Sequence, residues 1–209
     1  YFDRPLVKHE LDEYREHVRR RGTREPLQHI VGETGFMNLT LKTSPAALIP
    51  RPETEVLVEK AISLLKNKPS RILDIGTGSG CIAISLAQEL EEADVLAVDI
   101  STEALDLARE NALLNETQVS FQETNILERL PSLGQRFDLV VSNPPYIAPE
   151  EKPHLQREVS EFDPHQALFD EHDGLTFYRR FAEILPELLN PKGSFLFEFG
   201  GSHQEKEVL

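Results

Sequence analysis

The sequence predicts an α/β fold built on a doubly wound, mostly parallel sheet covered by helices on both faces. Two observations carry this. Beyond residue 50, short apolar runs alternate with stretches of helical periodicity, and the first run ends in a glycine-rich turn, Gly76-Thr77-Gly78-Ser79-Gly80. At 209 residues the chain is long enough for one sizeable domain of this kind and a small appendage.

Element by element, His9 to Arg21 places Leu11, Tyr14 and Val18 at i, i+3 and i+7, the spacing of a short amphipathic helix that ends near Gly22. Its run Arg19-Arg20-Arg21 reads as a solvated helix end favoured by the dipole, with contact to acidic groups as the alternative. From Pro26 to Thr43, β-type runs flank Gly32 and Gly35, which predicts a linker hairpin. Thr54 to Asn67 is helical through Leu57, Ala61, Leu64 and Leu65, and Arg71 to Gly76 is a buried strand. Cys81 to Leu90 is a helix and the run from Asp94 a second strand. Ser101 to Asn115 is a helix with Ser101 at its N-cap and Glu103 in its first turn. Runs from Val119 to Asn125 and from Phe137 to Asn143 are strands three and four. Gly174 to Leu189 is a helix containing Pro186, and the run from Gly193 is strand five. There are no repeats or low-complexity tracts.

Composition narrows the function classes. Lys and Arg total 22 against 36 Asp and Glu, a net charge of −14, which disfavours a chain wrapping a phosphate backbone. Cys81 is the one cysteine, so no internal disulfide forms, and no apolar run reaches the roughly 18 residues of a membrane span. A cytoplasmic protein without membrane or direct nucleic-acid partners is the expectation. The chain opens at Tyr1 without an initiator Met and closes where a helix begins, so a fragment truncated at both ends is also expected.

The spacing Gly76, Gly78, Gly80 lets backbone approach a small molecule at the carboxyl end of a central strand, where open α/β sheets bind ligands. A dinucleotide fingerprint would need glycine where Cys81 stands, and a Walker loop would need a Lys. Asp74 precedes the loop, and Asp99 ends the next strand, where a carboxylate can accept both hydroxyls of a ribose. The alternative is a glycine-rich turn without a ligand.

Acid, glycine loop and second acid in this order resemble the class I S-adenosylmethionine-dependent methyltransferases, which have a Rossmann-like fold. The resemblance implies S-adenosyl-L-methionine as cofactor, held by Asp74, by Gly76, Thr77, Gly78, Ser79 and Gly80 under its methionine part, and by Asp99 at the ribose. Asn125 stands where such enzymes often place an acid for the adenine amine; its carbonyl oxygen can still accept. Ile126 would lie against the ring.

After strand four come Asn143, Pro144, Pro145 and Tyr146. Two prolines end the strand and stiffen the corner. An amide or aromatic-amine nitrogen is a poor nucleophile because its lone pair is delocalised, so an enzyme has to orient it. The Asn143 side-chain oxygen and the Pro144 carbonyl can each take one N–H, aligning the nitrogen for in-line attack on a methyl group, while Tyr146 offers a flat face. Asn143 thus adjoins both cofactor and substrate. A plain turn is the bland alternative.

The stretch "LIPRPETEVLV", Leu48 to Val58, with "EPLQHIVGETGF" before it, closely resembles the HemK/PrmC family, the glutamine methyltransferases of peptide chain release factors. The resemblance runs from about Tyr14 to the end. It implies methyl transfer to the glutamine of the release factor's Gly-Gly-Gln loop, with Asn143, Pro144, Pro145 and Tyr146 forming the amide pocket. It also implies a division into a remnant of an N-terminal helical domain (1–25), a linker hairpin (26–47) and the methyltransferase domain (48–209). Arg51, Glu53 and Glu55 are candidate walls of the pocket, or alternatively cap the helix that starts near Thr54. Rival readings are an amino-methyltransferase acting on a nucleic-acid base or on a ribosomal-protein glutamine, and a non-catalytic binding module. The histidines lack metal-ligand spacing and no Ser-His-Asp arrangement is discernible, so no metal is expected. Glu198 is either near the cofactor or structural.

Overall fold

A computed structural model describes residues 4–66, 68–131, 134–201 and 204–208. Seven strands and nine α-helices follow one another among them, with a 3-10 turn at Pro149–His154.

Helix α1, Lys8–Gly22, ends in the basic run Arg19 to Arg21, as the dipole favours. The predicted hairpin begins later than its sequence pattern suggests. Leu27–Val31 forms a short helix, α2, closed by Gly32 at φ +85°, whose N–H donates to the Gln28 carbonyl at 2.7 Å. This turn buries the adjacent residues His29 and Ile30 together, whereas a strand would send them to opposite faces. The hairpin proper is β1, Glu33–Phe36, paired antiparallel with β2, Leu39–Lys42, which buries Leu39 and Leu41 and exposes Thr40 and Lys42.

Helix α3, Pro52–Leu65, starts on a proline whose missing N–H costs nothing at that position, and Glu53 and Glu55 occupy its acidic first turn. The helix predicted to reach Asn67 is bounded at Leu65; Asn67 itself lies outside the described residues. There follow β3 (Ser70–Ile75), α4 (Cys81–Glu89), β4 (Ala93–Asp99), α5 (Thr102–Leu114), β5 (Ser120–Glu123) and β6 (Phe137–Ser142). Ser101 caps α5, its hydroxyl accepting from the Ala104 N–H at 3.1 Å. Strand β5 stops short of Asn125, which the sequence pattern had ending it. Two short helices unassigned by periodicity, α6 (Arg157–Phe162) and α7 (His165–Leu168), precede α8 (Thr176–Leu188), which contains Pro186. Strand β7 is Leu189–Phe197, entered four residues before its predicted start through an irregularity opposite Phe137 and Leu139. Helix α9, Glu205–Val208, comes last among the described residues.

Five strands form one parallel sheet in the order β5-β4-β3-β6-β7. One face buries Val58, Ala61 and Leu65 of α3 and Ile82, Ala83 and Leu86 of α4 against Ile72, Val95, Leu139 and Val141. The opposite face packs Phe181, Ile184, Leu185 and Leu188 of α8 on Leu73, Val98 and Val140. A sheet buried on both sides needs near-continuous apolar strands, which is why these read as unbroken runs. Successive strands leave β3 in both directions. The order reverses between β3 and β6, and the carboxyl ends of the strands there are where such sheets bind ligands. No helix among the described residues is long and apolar enough to cross a membrane.

Candidate active site

Sequence placed its candidate residues at strand ends, and the parallel sheet collects those ends along one edge. The glycine turn follows β3, Asp99 ends β4, Asn125 lies just past β5, Asn143 follows β6 and Glu198 follows β7.

Gly76, Gly78 and Gly80 all have positive φ, at +72°, +55° and +84°, a region that side chains with a Cβ rarely adopt. Val98 holds the turn from the neighbouring strand, its carbonyl accepting from the N–H groups of Gly76 at 2.8 Å and Thr77 at 3.0 Å. Gly80 is required twice over, since a Cβ there would stand 2.8 Å from Ile84 Cδ1 and 3.1 Å from Ala108 Cβ. Ser79 is buried, and its carbonyl accepts from the Asn111 side chain at 2.9 Å. Asn111 also exchanges hydrogen bonds with the Lys42 backbone, so this α5 residue ties the hairpin to the glycine turn. Its position in an ordinary helical pattern gave no sign of that.

Two carboxyl groups flank the turn in different surroundings. Asp74 is fully buried, and its Oδ2 accepts from the Thr77 hydroxyl at 2.7 Å. Burial is the main reason that its pKa is pushed up to about 7, with the Thr77 bond opposing and Asp99 reinforcing the rise. Asp99 accepts from Gly78 N–H at 2.9 Å through Oδ2 and from Ser101 N–H at 3.0 Å through Oδ1. The Ile100 N–H also bears on this carboxylate, which still has capacity for a further donor. Burial raises this carboxyl too, and the backbone donors oppose it.

Asn125 turns its side-chain oxygen to the Leu127 N–H at 3.1 Å, leaving one lone pair for a further donor. Ile126 is buried among the apolar residues packed on α8, and its carbonyl accepts from Arg180 Nε at 2.9 Å.

The corner after β6 holds Pro144 buried and Asn143, Pro145 and Tyr146 half-buried. The Asn143 side-chain N–H donates to the Thr54 hydroxyl at 3.2 Å, and that hydroxyl donates to Glu198 Oε2 at 2.7 Å. Among the described residues nothing donates to Asn143 Oδ1 or to the Pro144 carbonyl. The two acceptors that orientation of an amide would need are thus unspent. Tyr146 is fastened through its carbonyl, which accepts from Gln204 Nε2 at 2.9 Å, while Gln204 Oε1 accepts from the Gly200 N–H. Burial raises the carboxyl of Glu198 above its ordinary range, with the Thr54 bond opposing, Glu53 reinforcing and the Asn143 side chain opposing.

The residues around the "PRPETE" stretch part company. Arg51 donates through Nη2 to Asp163 Oδ2 at 2.7 Å. Thr54 faces Asn143. Glu55 Oε1 accepts from the Met37 N–H at 2.7 Å, so this side chain secures the hairpin turn. Adjacent helical positions are rotated by about 100°, which is why Thr54 and Glu55 serve different neighbours. Glu53 is exposed, beside Phe197 and Glu198. Sequence reasoning missed Asn111, Asp163 and Gln204, and took Thr54 only as part of the stretch Glu53 to Glu55 at the start of a helix. A Thr between two glutamates was the one local signal, since Thr is a weaker helix former there than the residues around it.

Cofactor fit is tested by Asp74 and the turn. A buried carboxyl whose desolvation the Thr77 hydroxyl and the Ala83 backbone offset only in part, beside backbone held open by three left-handed glycines, suits a compact ligand bearing a cationic group. Asp99 adds acceptor capacity at the next strand end. Among the described residues no group of three or more His, Cys, Asp or Glu could hold a metal ion.

Residues 52–161 match the model of the methyltransferase small domain, and residues 1–32 that of the PrmC N-terminal domain. The chain is 49% identical over 181 residues to a release factor glutamine methyltransferase of Flavobacterium psychrophilum, covering 83% of this chain and 62% of the relative. It is 45% identical over 199 residues to a release factor glutamine methyltransferase of Geobacter sulfurreducens, covering 95% and 69%. A solved ribosomal protein L11 methylase from Lactobacillus delbrueckii subsp. bulgaricus superposes with a TM-score of 0.55 at 26% identity, over 78% of this chain and 68% of that one. The chain spans about two thirds of the length of the curated relatives.

Proposed function

The chain belongs to the release factor glutamine methyltransferase family, and from that premise we propose that it transfers a methyl group from S-adenosyl-L-methionine to the side-chain amide nitrogen of the glutamine in the Gly-Gly-Gln loop of peptide chain release factors. The observation that carries this reading is the pair of unspent acceptors, Asn143 Oδ1 and the Pro144 carbonyl, on a proline-stiffened corner.

Gly76 to Gly80, Asp74, Asp99, Asn125 and Ile126 hold the cofactor, which when bound supplies an electrophilic methyl on a sulfonium sulfur. The chain's own part is positioning. Asn143 and Pro144 each accept one N–H of the glutamine amide, which turns the nitrogen lone pair out of that plane and towards the methyl. Pro144 and Pro145 keep the acceptors from relaxing, and the Tyr146 ring lies along the planar amide. A geometric constraint of this kind removes the need to deprotonate a very weak acid before attack, the nitrogen giving up one of its two protons to solvent only once it carries the methyl, and supplies several kcal/mol of barrier lowering. Arg51 shapes the pocket through Asp163; Glu55 acts at one remove, through the hairpin turn. In this reading residues 1–25 belong to a helical substrate-docking domain, 26–47 link it, and 48–209 carry the chemistry.

Incubation with methyl-labelled S-adenosylmethionine and a release factor, with ribosomal protein and with nucleic acid in separate arms, tests the proposal. Label on the Gly-Gly-Gln glutamine by peptide mass spectrometry is the expected result. Label on nucleic acid or ribosomal protein alone would replace it with one of the rivals.

A further inference from the structure

We infer that Thr54 and Glu198 are positioning residues that set which face of the Asn143 amide meets the substrate. This rests on the proposed glutamine methylation and adds two residues to it.

An Asn side chain fits the same space in two orientations related by a half-turn, one offering an oxygen outward and the other an NH2 group. Only the first can accept an N–H from a substrate amide. The choice is made on the protein side, by Glu198, whose carboxylate draws on the Asn143 side chain as well as on the Thr54 hydroxyl, and by Thr54, which is 2% exposed. A hydroxyl has one proton. Thr54 gives its proton to Glu198 Oε2 at 2.7 Å, so towards Asn143 it presents only lone pairs, and there it accepts from Nδ2 at 3.2 Å. The nitrogen of Asn143 is therefore held inward and Oδ1 is left outward.

Glu198 can anchor the chain of bonds because it is itself immobile. Its N–H donates to the Ser142 carbonyl at 3.0 Å, and its carbonyl accepts from the Tyr178 hydroxyl at 2.7 Å. Thr54 and the Asn143 side chain both donate towards Glu198, so the bonds run one way and end on its carboxylate. Glutamine in its place could donate to Thr54 instead. The hydroxyl would then be free to donate to Asn143 Oδ1, and the flipped amide would oppose NH2 to NH2.

The test compares the parent chain with Thr54→Val, Thr54→Ser, Glu198→Gln and the double variant Thr54→Val/Glu198→Gln. Turnover is measured on a release factor. Thr54→Val and Glu198→Gln should each lower kcat by about tenfold, a 1.4 kcal/mol change, with cofactor Kd within about threefold of the parent. Thr54→Ser, which keeps the hydroxyl, should recover to within about threefold, and the double variant should lose no more than the worse single one. Losses that multiply in the double variant, or that fall on KM alone, would overturn the inference. The ¹⁵N side-chain spectrum of Asn143, assigned by its disappearance in Asn143→Asp, reads the same relay without turnover. Slow exchange of the inner N–H should be present in the parent and Thr54→Ser and absent in Thr54→Val and Glu198→Gln; an unchanged spectrum in those two also overturns it. If the parent fails to methylate release factors, the functional reading falls while this spectrum still decides the positioning role.

Discussion

Arg51 and Asp163 are 112 positions apart in sequence and meet in a charged hydrogen bond of 2.7 Å that joins the start of α3 to the segment following the NPPY corner. The Asp163 side chain is 1% exposed and that of Arg51 34%, so the guanidinium brings countercharge to the aspartate from the solvent side, with His29 and the Ile49 N–H contributing from within. The same segment is tied to the end of α1, where Arg21 and Arg24 both reach Glu158 at 3.2 Å. Arg51→Met should therefore strand a buried carboxylate and lower stability by about 1–3 kcal/mol, less than for a fully buried pair because water reaches the arginine. Urea denaturation checks this: Asp163→Asn should cost less than Arg51→Met, and the reverse order would show that the pair is not the stabilising element.

Asp74 makes stability depend on pH in a stated direction. Its folded-state pKa is pushed up to about 7, from 3.8 when unhindered, so the folded chain holds a proton that the unfolded chain has released. Without cofactor, this group's contribution should decline as pH rises from about 4 to about 7 and level off above. Asp74→Asn keeps an acceptor for Thr77 and removes the titration. The variant should gain on the parent across that window, by a few kcal/mol at most. A stability difference that is constant from pH 4 to pH 8 would refute it.

Asp99 serves the turn and, in the proposed reading, the ribose. Asp99→Ala removes both functions and should weaken cofactor binding by roughly 1.5–3 kcal/mol, with Asp99→Asn intermediate. Titration calorimetry giving the parent's affinity for the alanine variant would remove Asp99 from the site.

Asn143→Ala should separate binding from chemistry. Cofactor affinity should stay close to the parent's, while kcat on a release factor falls by about one to two orders of magnitude, because the lost acceptor matters for aligning the nitrogen. Parent-like turnover would show that the amide is oriented by something else.

Gly174 supports the corner from outside it. At φ +80° any Cβ is strained, and one built there would lie 2.6 Å from the Tyr146 carbonyl and 2.5 Å from Gln204 Nε2. Gly174→Ala should cost about 1–3 kcal/mol of stability and also lower kcat, by displacing the backbone that follows Pro145. A variant that loses stability but keeps full turnover would mean that the Tyr146 carbonyl can move without disturbing Asn143.

Much of the fold was legible because a two-faced parallel sheet demands strands with a near-continuous apolar core, and the runs ending at Asp74-Ile75, Asp99 and Ser142 each contain one. The glycine turn and NPPY were legible because each is a backbone requirement written in residue type: left-handed φ at Gly76, Gly78 and Gly80, and a stiff corner at Pro144 and Pro145. The helix at Leu27–Val31 was not, since five residues contain too little periodicity to separate a helical turn from a strand. Neither was the segment from Pro149 to Leu168, whose short helices depend on distant partners such as Arg51.

By itself, then, the sequence determined the local chemistry: where strands end, which turns must be glycine or proline, and which carboxylates stand beside them. Tertiary structure decided how that chemistry is shared out. Whether Glu55 faces a pocket or a hairpin, whether Thr54 is a helix residue or a relay to Asn143, and whether Glu198 is structural or an anchor all depend on groups 18 to 144 positions away. The physical reason is that a hydrogen bond has a direction and a length of about 3 Å, whereas a one-dimensional pattern carries burial and backbone preference but no distances between elements.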